Sequence, residues 1–288
     1  MTAQYNDHFE KRKKEFNYCE NIIQHHSKSF YAAFSQLPKK KAQSIYAIYA
    51  FCRMADDIVD DKKDAEQLEE LFEQLEAFEA GVVPNEPTWL ALEVVFEEFP
   101  MDIHPFYDML VGQRMDLNFQ QPQSWQELLE YAYYVAGSVG LMLLPVLSNT
   151  PAQIITPAKR LGEAMQLTNI LRDIGEDLNI ARIYLPQKEM QRYNLTVEDL
   201  QKQKVTKNFI ELWESIAKYA EKLYRESLDM IPYIEKDARK ALLSAIMIYS
   251  ELLPEIRRKQ YNVFEKRQAV SLQRKSELIH SLESSIEK

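Results

Sequence analysis

Oxygen-bearing side chains recur at helical spacing in the segment AKRLGEAMQLTNILRDIGEDLNIARI, residues 158–183. Steps of four, three, four and four residues align a stripe on one side of a helix: Gly162, Gln166, Asn169, Asp173 and Asp177. Apolar residues surround this stripe, and burying amides and carboxylates among them is costly unless they have partners. A hard cation is a suitable partner for several converging oxygen atoms. We therefore predict that the segment forms one wall of a metal-filled cavity.

A second stripe lies in KKKAQSIYAIYAFCRMADDIVDD, residues 39–61. Steps of three, four, three and four align Tyr46, Tyr49, Arg53, Asp56 and Asp60. Taken alone, such a cluster is also explained by a solvated helix end with an ion pair between Arg53 and Asp56 or Asp57. The residues before it are apolar nearly all round the helix, so we expect Arg53 and Asp56 to be buried.

Two acidic stripes on apolar helices indicate a site for a diphosphate. Magnesium takes one or two protein carboxylates and completes its coordination with water and substrate phosphates. Two or three such ions would be held by the oxygen donors of both stripes: Asp56, Asp60, Asn169, Asp173 and Asp177. Without metal these carboxylates would repel one another. Arg53 and Arg172 would balance the charge through paired hydrogen bonds to phosphate.

Metal-assisted loss of a diphosphate leaves a carbocation, which a dry pocket with aromatic walls would protect. Candidate wall residues are the aromatics near the stripes: Phe30, Phe34, Tyr46, Tyr49 and Tyr131. Core packing is the alternative explanation for each of them. Tyr46 precedes Asp56 by ten residues, or about 15 Å of helix, which is comparable to the length of an extended prenyl chain.

Three further groups of polar residues leave two interpretations open. Ser27 and Ser29 follow a predicted helix over 8–26 and favour a cap and turn, with an anion-binding loop as the alternative. The predicted helix over 105–119 carries residues that either face the cavity or lie on the surface: Gln113, Arg114, Asp116 and Asn118. A C-terminal basic cluster is either a solvated face or a diphosphate contact: Lys266, Arg267, Arg274 and Lys275.

The composition limits the class of protein. The 288 residues are 46% hydrophobic, which is enough for a large core, and only 6 are glycine, which argues against glycine-rich nucleotide loops. Long runs rich in Ala, Leu, Glu, Lys and Gln predict an all-α fold. The net charge of −9 argues against nucleic acid as a partner. The 2 cysteines provide neither a disulfide framework nor a zinc motif.

No targeting or linker segment is evident. The N-terminal residues are polar, and the longest nearly apolar run, residues 135–147, is too short to span a bilayer. We therefore expect a cytoplasmic protein, with peripheral membrane contact for product release left open. We also expect a single domain over residues 1–288, which includes helices over 208–230 and 236–261 and a kink at Pro254.

These motifs resemble the squalene and phytoene synthase family. The resemblance rests on six segments in the family's order: SKSF (27–30), YAFCRMADDIVD (49–60), YVAGSVG (134–140), RLGEAMQLTNILRDIGED (160–177), RIYLP (182–186) and YNVF (261–264). The QLTNILRDIGED block is the most specific of them. Within the family, the sequence is most similar to the bacterial dehydrosqualene (4,4'-diapophytoene) synthases of C30 carotenoid pathways.

The resemblance implies an all-α isoprenoid synthase fold, with the active site inside a helical bundle. It implies magnesium ligands at Asp56, Asp60, Asn169, Asp173 and Asp177. Tyr49 and Arg53 would act with these carboxylates in catalysis. The implied contacts to the diphosphate and prenyl groups are His26, Ser27, Lys28, Ser29, Tyr49, Arg53, Gln166, Arg172 and Tyr249. The basic C-terminal pattern is offset from that of the family, which leaves open whether Lys266 or Arg267 reaches a phosphate.

The implied reaction is a head-to-head condensation. One farnesyl diphosphate ionises, and its cation attacks the double bond of a second molecule to give presqualene diphosphate. This intermediate ionises, rearranges and loses a proton to give dehydrosqualene, with the released diphosphate as a candidate base. Squalene synthases instead quench the last cation with hydride from NADPH, which we do not expect here.

Phytoene synthase, which joins two geranylgeranyl diphosphates, and squalene synthase are the nearest alternatives. Bulky residues at Phe34 and Tyr46 favour C15 substrates because they would shorten the pocket. The NILRDIGED block does not resemble the second motif of chain-elongating prenyl synthases or terpene cyclases. Helical assembly factors of the same fold are a non-enzymatic alternative, but they are expected to have lost the acidic ligands, which are all present here.

Overall fold

The computed structural model describes residues 7–59 and 64–286, which form helices joined by short loops without any β-strand. The predicted all-α class is confirmed, with 77% of the structure helical. The α-helices within the described ranges are, in chain order, α1 (His8–Lys11), α2 (Lys13–His26), α3 (Lys28–Phe34), α4 (Lys39–Asp57), α5 (Ala65–Glu79), α6 (Pro87–Glu98), α7 (His104–Leu117), α8 (Trp125–Ala132), α9 (Ser138–Leu147), α10 (Ile155–Asn179), α11 (Gln187–Arg192), α12 (Val197–Gln201), α13 (Lys207–Ser227), α14 (Lys236–Ser250), α15 (Leu252–Arg258) and α16 (Leu272–Ile286). A π-helix (Tyr133–Gly137) joins α8 to α9, and 3₁₀-helices (Pro151–Gln153 and Leu228–Tyr233) precede α10 and α14.

Two of the predicted helices are interrupted. The helix expected over 8–26 breaks at Arg12, whose backbone angles (φ −97°, ψ 27°) depart from helical values. The helix expected over 236–261 ends at Ser250 and resumes at Leu252. Pro254 then lies in the first turn of α15, where its missing N–H costs no helical hydrogen bond. The break therefore precedes the proline rather than coinciding with it.

Helix α10 is the element around which the bundle is organised. One side packs along α13, where the Trp213 indole N–H donates to the Leu171 carbonyl (3.2 Å) and the Thr168 and Tyr224 hydroxyls lie 3.0 Å apart. The π-helix and α9 also pack on α10. Because its buried apolar residues cover the α13 side, the polar stripe is left to face other helices.

Glycine permits a close approach of the π-helix to α10. A Cβ atom at Gly162 would lie 2.1 Å from the Ala136 carbonyl oxygen and 2.7 Å from Gly137 Cα. Both neighbours are backbone atoms, so neither can move aside without displacing a helix. The first residue of the predicted stripe is therefore a packing residue that sets the width of the space between the two helices.

Gly162→Ala is expected to lower the free energy of unfolding by about 1–3 kcal/mol, because the added methyl group overlaps the backbone of the π-helix. Alanine is otherwise the better helix former by roughly 1 kcal/mol, so a net loss measured by urea denaturation identifies the clash. Gly137→Ala is the matched control, since its closest neighbour is a side-chain atom, Tyr133 Cδ2 at 2.9 Å, and no backbone atom lies as close as in Gly162→Ala. Equal stability of Gly162→Ala and wild type would contradict the close packing.

One continuous helical segment of the described chain, Trp125–Leu147, is long and apolar enough by length and composition to cross a membrane. It comprises α8, the π-helix and α9, and so extends the apolar run at 135–147 toward the N-terminus. In the folded chain this segment packs against α4, α7 and α10. Within the fold, 44% of its most apolar 18-residue window is buried.

Candidate active site

A cavity of about 740 Å³ lies between α4, α7, the Trp125–Leu147 segment, α10 and α14. The whole polar stripe of α10 lines it: Gly162, Gln166, Asn169, Asp173 and Asp177. Helix α4 contributes Tyr49, Arg53 and Asp56 to the wall. The structure thus brings residues of both acidic helices to one cavity. Asp60, the remaining predicted metal ligand, lies outside the described residues.

The lining changes from apolar to polar along each helix. On α4 it runs from Ile45 to Asp56, and on α10 it runs from Leu161 to Asp177. Helix α7 lies beside both polar ends: its Gln113 side-chain amide donates to Asp56 Oδ1 at 2.6 Å, and the charge of its Asp116 raises the pKa of Asp177 on α10. One turn further on, Asp116 also lines the cavity. The cavity therefore has one end rich in carboxylates and one end suited to a hydrocarbon.

Negative charge is concentrated at the polar end. Asp173 accepts a hydrogen bond from Arg172 Nε at 2.7 Å, and Arg267 Nε lies 3.1 Å from its Oδ1 atom. At Asp177, burial together with the charges of Asp173 and Asp116 raises the pKa to about 7. Burial is the largest cause of this shift, and the two neighbouring carboxylates add to it more than Arg182 offsets.

The family model for squalene/phytoene synthase matches residues 23–275, which is most of the chain. The chain belongs to the squalene/phytoene synthase family. It is therefore placed among prenyltransferases that act on isoprenyl diphosphates, and the resemblance inferred from its motifs is confirmed.

Relatives of known name cover almost the full chain. A phytoene synthase of Arthrospira platensis is 38% identical over 273 residues, covering 89% of this chain and 88% of the relative. A 4,4'-diapophytoene synthase of Staphylococcus haemolyticus is 32% identical over 260 residues, covering 88% of this chain and 91% of the relative. A dehydrosqualene synthase, whose crystal structure was solved in complex with a ligand, is 52% identical in sequence. The two structures superpose with a TM-score of 0.95, covering 98% of this chain and 99% of that one.

Arg53 of this synthase-family chain shows why one acidic cluster allowed two interpretations. Its guanidinium pairs with Asp57, four residues on, as expected for a helix end. Asp56, by contrast, lines the cavity. The buried Nε atom of Arg53 has no hydrogen-bond partner among the described residues. The ion pair of a helix end therefore applies to Asp57, and the cavity wall applies to Asp56. Arg53 retains a hydrogen-bond donor at the cavity wall.

Aromatic rings extend from the polar end into the apolar end. The Tyr249 hydroxyl donates to Asn169 Oδ1 at 3.4 Å, and its ring centroid lies 5.4 Å from that of Phe30. Phe30 in turn stacks on Phe34 at 5.8 Å. Tyr131 also lines the cavity. This row of rings provides the aromatic wall expected from the sequence.

Tyr46 lies outside the cavity lining, in contrast to the prediction. Its ring is 3% exposed and packs against Tyr31 with centroids 5.7 Å apart. Ile45 and Ile48 line the cavity from this part of α4. Tyr46 precedes Asp56 by ten residues, which is about 80° short of three full turns, whereas Ile45 precedes it by eleven, only about 20° past them.

The four residues of the predicted diphosphate loop, His26 to Ser29, do not line the cavity in this conformation of the described chain. Ser27 ends α2 through its backbone N–H, which donates to the Ile23 carbonyl at 2.8 Å. Lys28 begins α3, and the Ser29 hydroxyl accepts from Lys275 Nζ at 2.7 Å. Ser27 therefore separates two helices as predicted for a turn, but its side chain makes no capping hydrogen bond, and Ser29 contacts the C-terminal basic cluster.

The C-terminal basic cluster divides among several partners. Both Lys266 and Arg267 are exposed, but only Arg267 lines the cavity, where it contacts Asp173. Arg274 Nε lies 2.9 Å from Glu251 Oε1. Of Lys266 and Arg267, the structure thus brings only Arg267 to the polar end.

Several polar lining residues were left open or missed by the sequence pattern. Gln113 and Asp116 face the cavity. Arg114 does not line it, and its guanidinium pairs with Glu69 at 2.8 Å. Arg182 and Tyr184 also line the cavity, although they follow α10 in a loop where helical periodicity gives no signal. Their only signal was the RIYLP segment that carries part of the family resemblance.

Proposed function

We propose that this protein joins two farnesyl diphosphates head to head, through presqualene diphosphate, and releases dehydrosqualene for C30 carotenoid synthesis. The observation that carries the proposal is one cavity with carboxylates at one end and a hydrocarbon-like lining at the other. Such a cavity fits a substrate with a charged head and a prenyl tail. The 52% identity to a dehydrosqualene synthase supports the C30 product over other members of the family.

We also propose that two or three Mg²⁺ ions bind at the polar end. Within the described ranges, no three His, Cys, Asp or Glu side chains form a ready-made metal cluster. The donor set nevertheless fits magnesium, because Asp56, Asn169, Asp173 and Asp177 provide carboxylate and amide oxygen ligands around one cavity. Asp60 would complete the set. Magnesium supplies Lewis-acid stabilisation of the leaving diphosphate when bound.

Arginine side chains would orient the diphosphate. Arg53 has a buried donor without a partner in the described chain, and Arg172 and Arg267 both contact Asp173. Guanidinium groups bind phosphate oxygens through pairs of hydrogen bonds, so these three can hold the leaving group at the carboxylate end. The prenyl chain would then extend past Phe30 toward Phe34.

The aromatic wall would protect the carbocations. Phe30, Phe34 and Tyr131 line the interior, and their rings exclude water while their faces attract a cation. The proposed last step is loss of a proton, which requires no hydride donor. We therefore propose that the protein does not use NADPH.

Incubation with farnesyl or geranylgeranyl diphosphate, followed by mass analysis of the products, tests the function. We expect dehydrosqualene from the C15 substrate with magnesium, unchanged by NADPH, and at least about a hundredfold slower turnover after chelation with EDTA. A product heavier by two hydrogens that requires NADPH would identify a squalene synthase. Failure to consume either substrate would favour a helical assembly factor.

Phytoene synthase is the second candidate function. It is favoured by the identity of 38% to the Arthrospira platensis phytoene synthase, which exceeds the 32% to the Staphylococcus haemolyticus 4,4'-diapophytoene synthase. Preference for geranylgeranyl diphosphate in the same experiment would decide for this candidate. The chemistry at the polar end would be the same, and only the depth of the apolar end would differ.

A further inference from the structure

Two of the carboxylates proposed to bind magnesium are held by different kinds of hydrogen-bond donor. Asp173 on α10 pairs with Arg172 and Arg267, so guanidinium groups balance part of its charge. Asp56 on α4 accepts a hydrogen bond from the side-chain amide of Gln113, with 2.6 Å between Nε2 and Oδ1. This bond brings no positive charge to the carboxylate, because an amide is a neutral donor.

Gln113 is a buried polar residue in the wall of the active-site cavity. It is 5% exposed, and burying an amide is costly unless the group is hydrogen-bonded. The contact with Asp56 compensates for this cost. A methionine would fill nearly the same space without the cost, so packing alone does not account for an amide at this position.

The residues on either side of Gln113 fix α7 against the adjoining helices. A Cβ atom at Gly112 would lie 2.7 Å from Cγ1 and 3.0 Å from the backbone N of Val135, so α7 packs closely on the π-helix. Arg114 Nη2 lies 2.8 Å from both carboxylate oxygens of Glu69 on α5. Three consecutive residues of α7 thus contact three different elements, and Gln113 approaches α4 from a fixed position.

The hydrogen bond from Gln113 restricts the rotation of the Asp56 carboxylate. The last torsion of an aspartate side chain has broad minima, so a carboxylate without a partner takes many orientations. An ionised carboxylate has about four lone-pair sites, and one bond at Oδ1 leaves Oδ2 available to a metal ion. Donors that orient metal ligands in this way are worth about 10–100-fold in metal affinity or activity.

We propose that Gln113 is a positioning residue for Asp56, whose carboxylate it orients toward a magnesium ion without competing for its charge. This inference rests on the proposed function, since it requires that Asp56 binds the metal. Gln113 acts through Asp56 in this scheme and not on the substrate. The rigid packing of α7 is what makes the orientation reproducible, because the donor cannot follow the carboxylate if it rotates.

Metal binding measured without turnover tests the role of Gln113. Mn²⁺, which prefers the same oxygen ligands as Mg²⁺, is titrated into wild type and Gln113→Met, alone and with inorganic diphosphate, against a blank without protein. Its electron paramagnetic resonance signal distinguishes free from bound ions. We expect the dissociation constant of the tightest ion to rise by at least about tenfold in Gln113→Met. Unlike the amount bound, this constant does not depend on the fraction of folded protein.

Gln113→Lys separates the neutrality of the donor from its presence. A lysine can still donate to Asp56, but its charge competes with the metal for the carboxylate, so we expect at least as large a rise in the dissociation constant. In both variants the magnesium concentration for half-maximal turnover of farnesyl diphosphate should rise by more than turnover at saturating magnesium falls. A residue that only supports the fold would lower turnover without moving the metal constant.

A second buried glutamine provides the matched control. Gln43 on α4 is 8% exposed and does not line the cavity, so Gln43→Met should leave the Mn²⁺ dissociation constants unchanged. Equal constants for wild type and Gln113→Met would overturn the inference, as would an equal rise in Gln43→Met. Wild-type affinity in Gln113→Lys would overturn the role of a neutral donor. Failure of wild type to bind Mn²⁺ even with diphosphate would refute the proposed metal site instead.

Discussion

Asp56→Asn is expected to reduce turnover of farnesyl diphosphate by about 10²–10³-fold or more while the helical fold is retained. Asp56 faces the cavity, and its described hydrogen-bond donor is the neutral amide of Gln113. An amide at position 56 would keep the shape of the side chain but remove a charge that we propose binds magnesium. Steady-state kinetics at saturating magnesium measure the effect, and circular dichroism with thermal unfolding measures the fold.

Asp173→Asn is expected to cause a similar loss of activity but a larger loss of stability. Its carboxylate pairs with Arg172, whose side chain is 11% exposed, and with Arg267. Breaking a buried ion pair from one side leaves an uncompensated charge, which costs about 3–5 kcal/mol. Relief of repulsion among the carboxylates, the expectation from sequence, is therefore outweighed at this position. Asp56→Asn is the cleaner test of catalysis.

Asp229→Asn is the matched control for both variants. Asp229 is exposed in the 3₁₀-helix before α14, and it does not line the cavity. The same loss of charge there should leave activity and stability within experimental error. Full activity of Asp56→Asn or Asp173→Asn would contradict the proposed metal site, and a loss of activity in Asp229→Asn would show that net charge alone accounts for the effect.

The sequence predicted the polar stripe of α10 well because this helix is 25 residues long and regular. Over such a length a period of 3.6 residues assigns each position to a face, and Gln166, Asn169, Asp173 and Asp177 all reach the cavity. The steps of the α4 stripe have the same form, yet its first residue, Tyr46, lies outside the lining. Steps of three and four residues do not add up to whole turns of 3.6 residues, so the angular error can grow along the stripe. The residue farthest from the carboxylates is therefore placed least accurately.

Periodicity could not predict contributions from loops or from close contacts between helices. Arg182 and Tyr184 lie in the loop after α10, where no repeating pattern exists. Gly162 was included in the stripe for its position, but its role comes from the backbone of the π-helix 2.1 Å from a would-be Cβ atom. Asp116 has two tyrosine partners from different parts of the chain, and their meeting depends on the tertiary fold.

Phe34→Ala is expected to raise the ratio of kcat/KM for geranylgeranyl over farnesyl diphosphate by at least about tenfold. Phe34 lines the apolar part of the cavity. Its ring contacts Phe30, which contacts Tyr249, whose hydroxyl donates to Asn169 at the polar end. Removing its ring provides space for part of the additional isoprene unit. A rise in the C20/C15 ratio does not require a change at the polar end, so the metal dependence should be unaffected.

The cost in stability requires a matched pair of variants. Phe34 is 1% exposed, and truncation of a buried phenylalanine to alanine costs about 3–5 kcal/mol. Phe34→Leu opens a smaller space at a lower cost, and it should shift the ratio in the same direction by a smaller factor. Phe51→Ala and Phe51→Leu are the controls, because Phe51 is equally buried but packs on Trp89 and Phe106 outside the cavity lining.

A shift in substrate preference that appears in the Phe34 variants and not in the Phe51 variants would assign chain-length selection to the apolar end of the cavity. A preference that is unchanged in both would mean that the depth of the cavity near Phe34 does not select the substrate. The argument from this residue for a C15 substrate would then fail. The proposed chemistry at the carboxylate end would stand, because it depends on Asp56 and Asp173 rather than on the length of the prenyl chain.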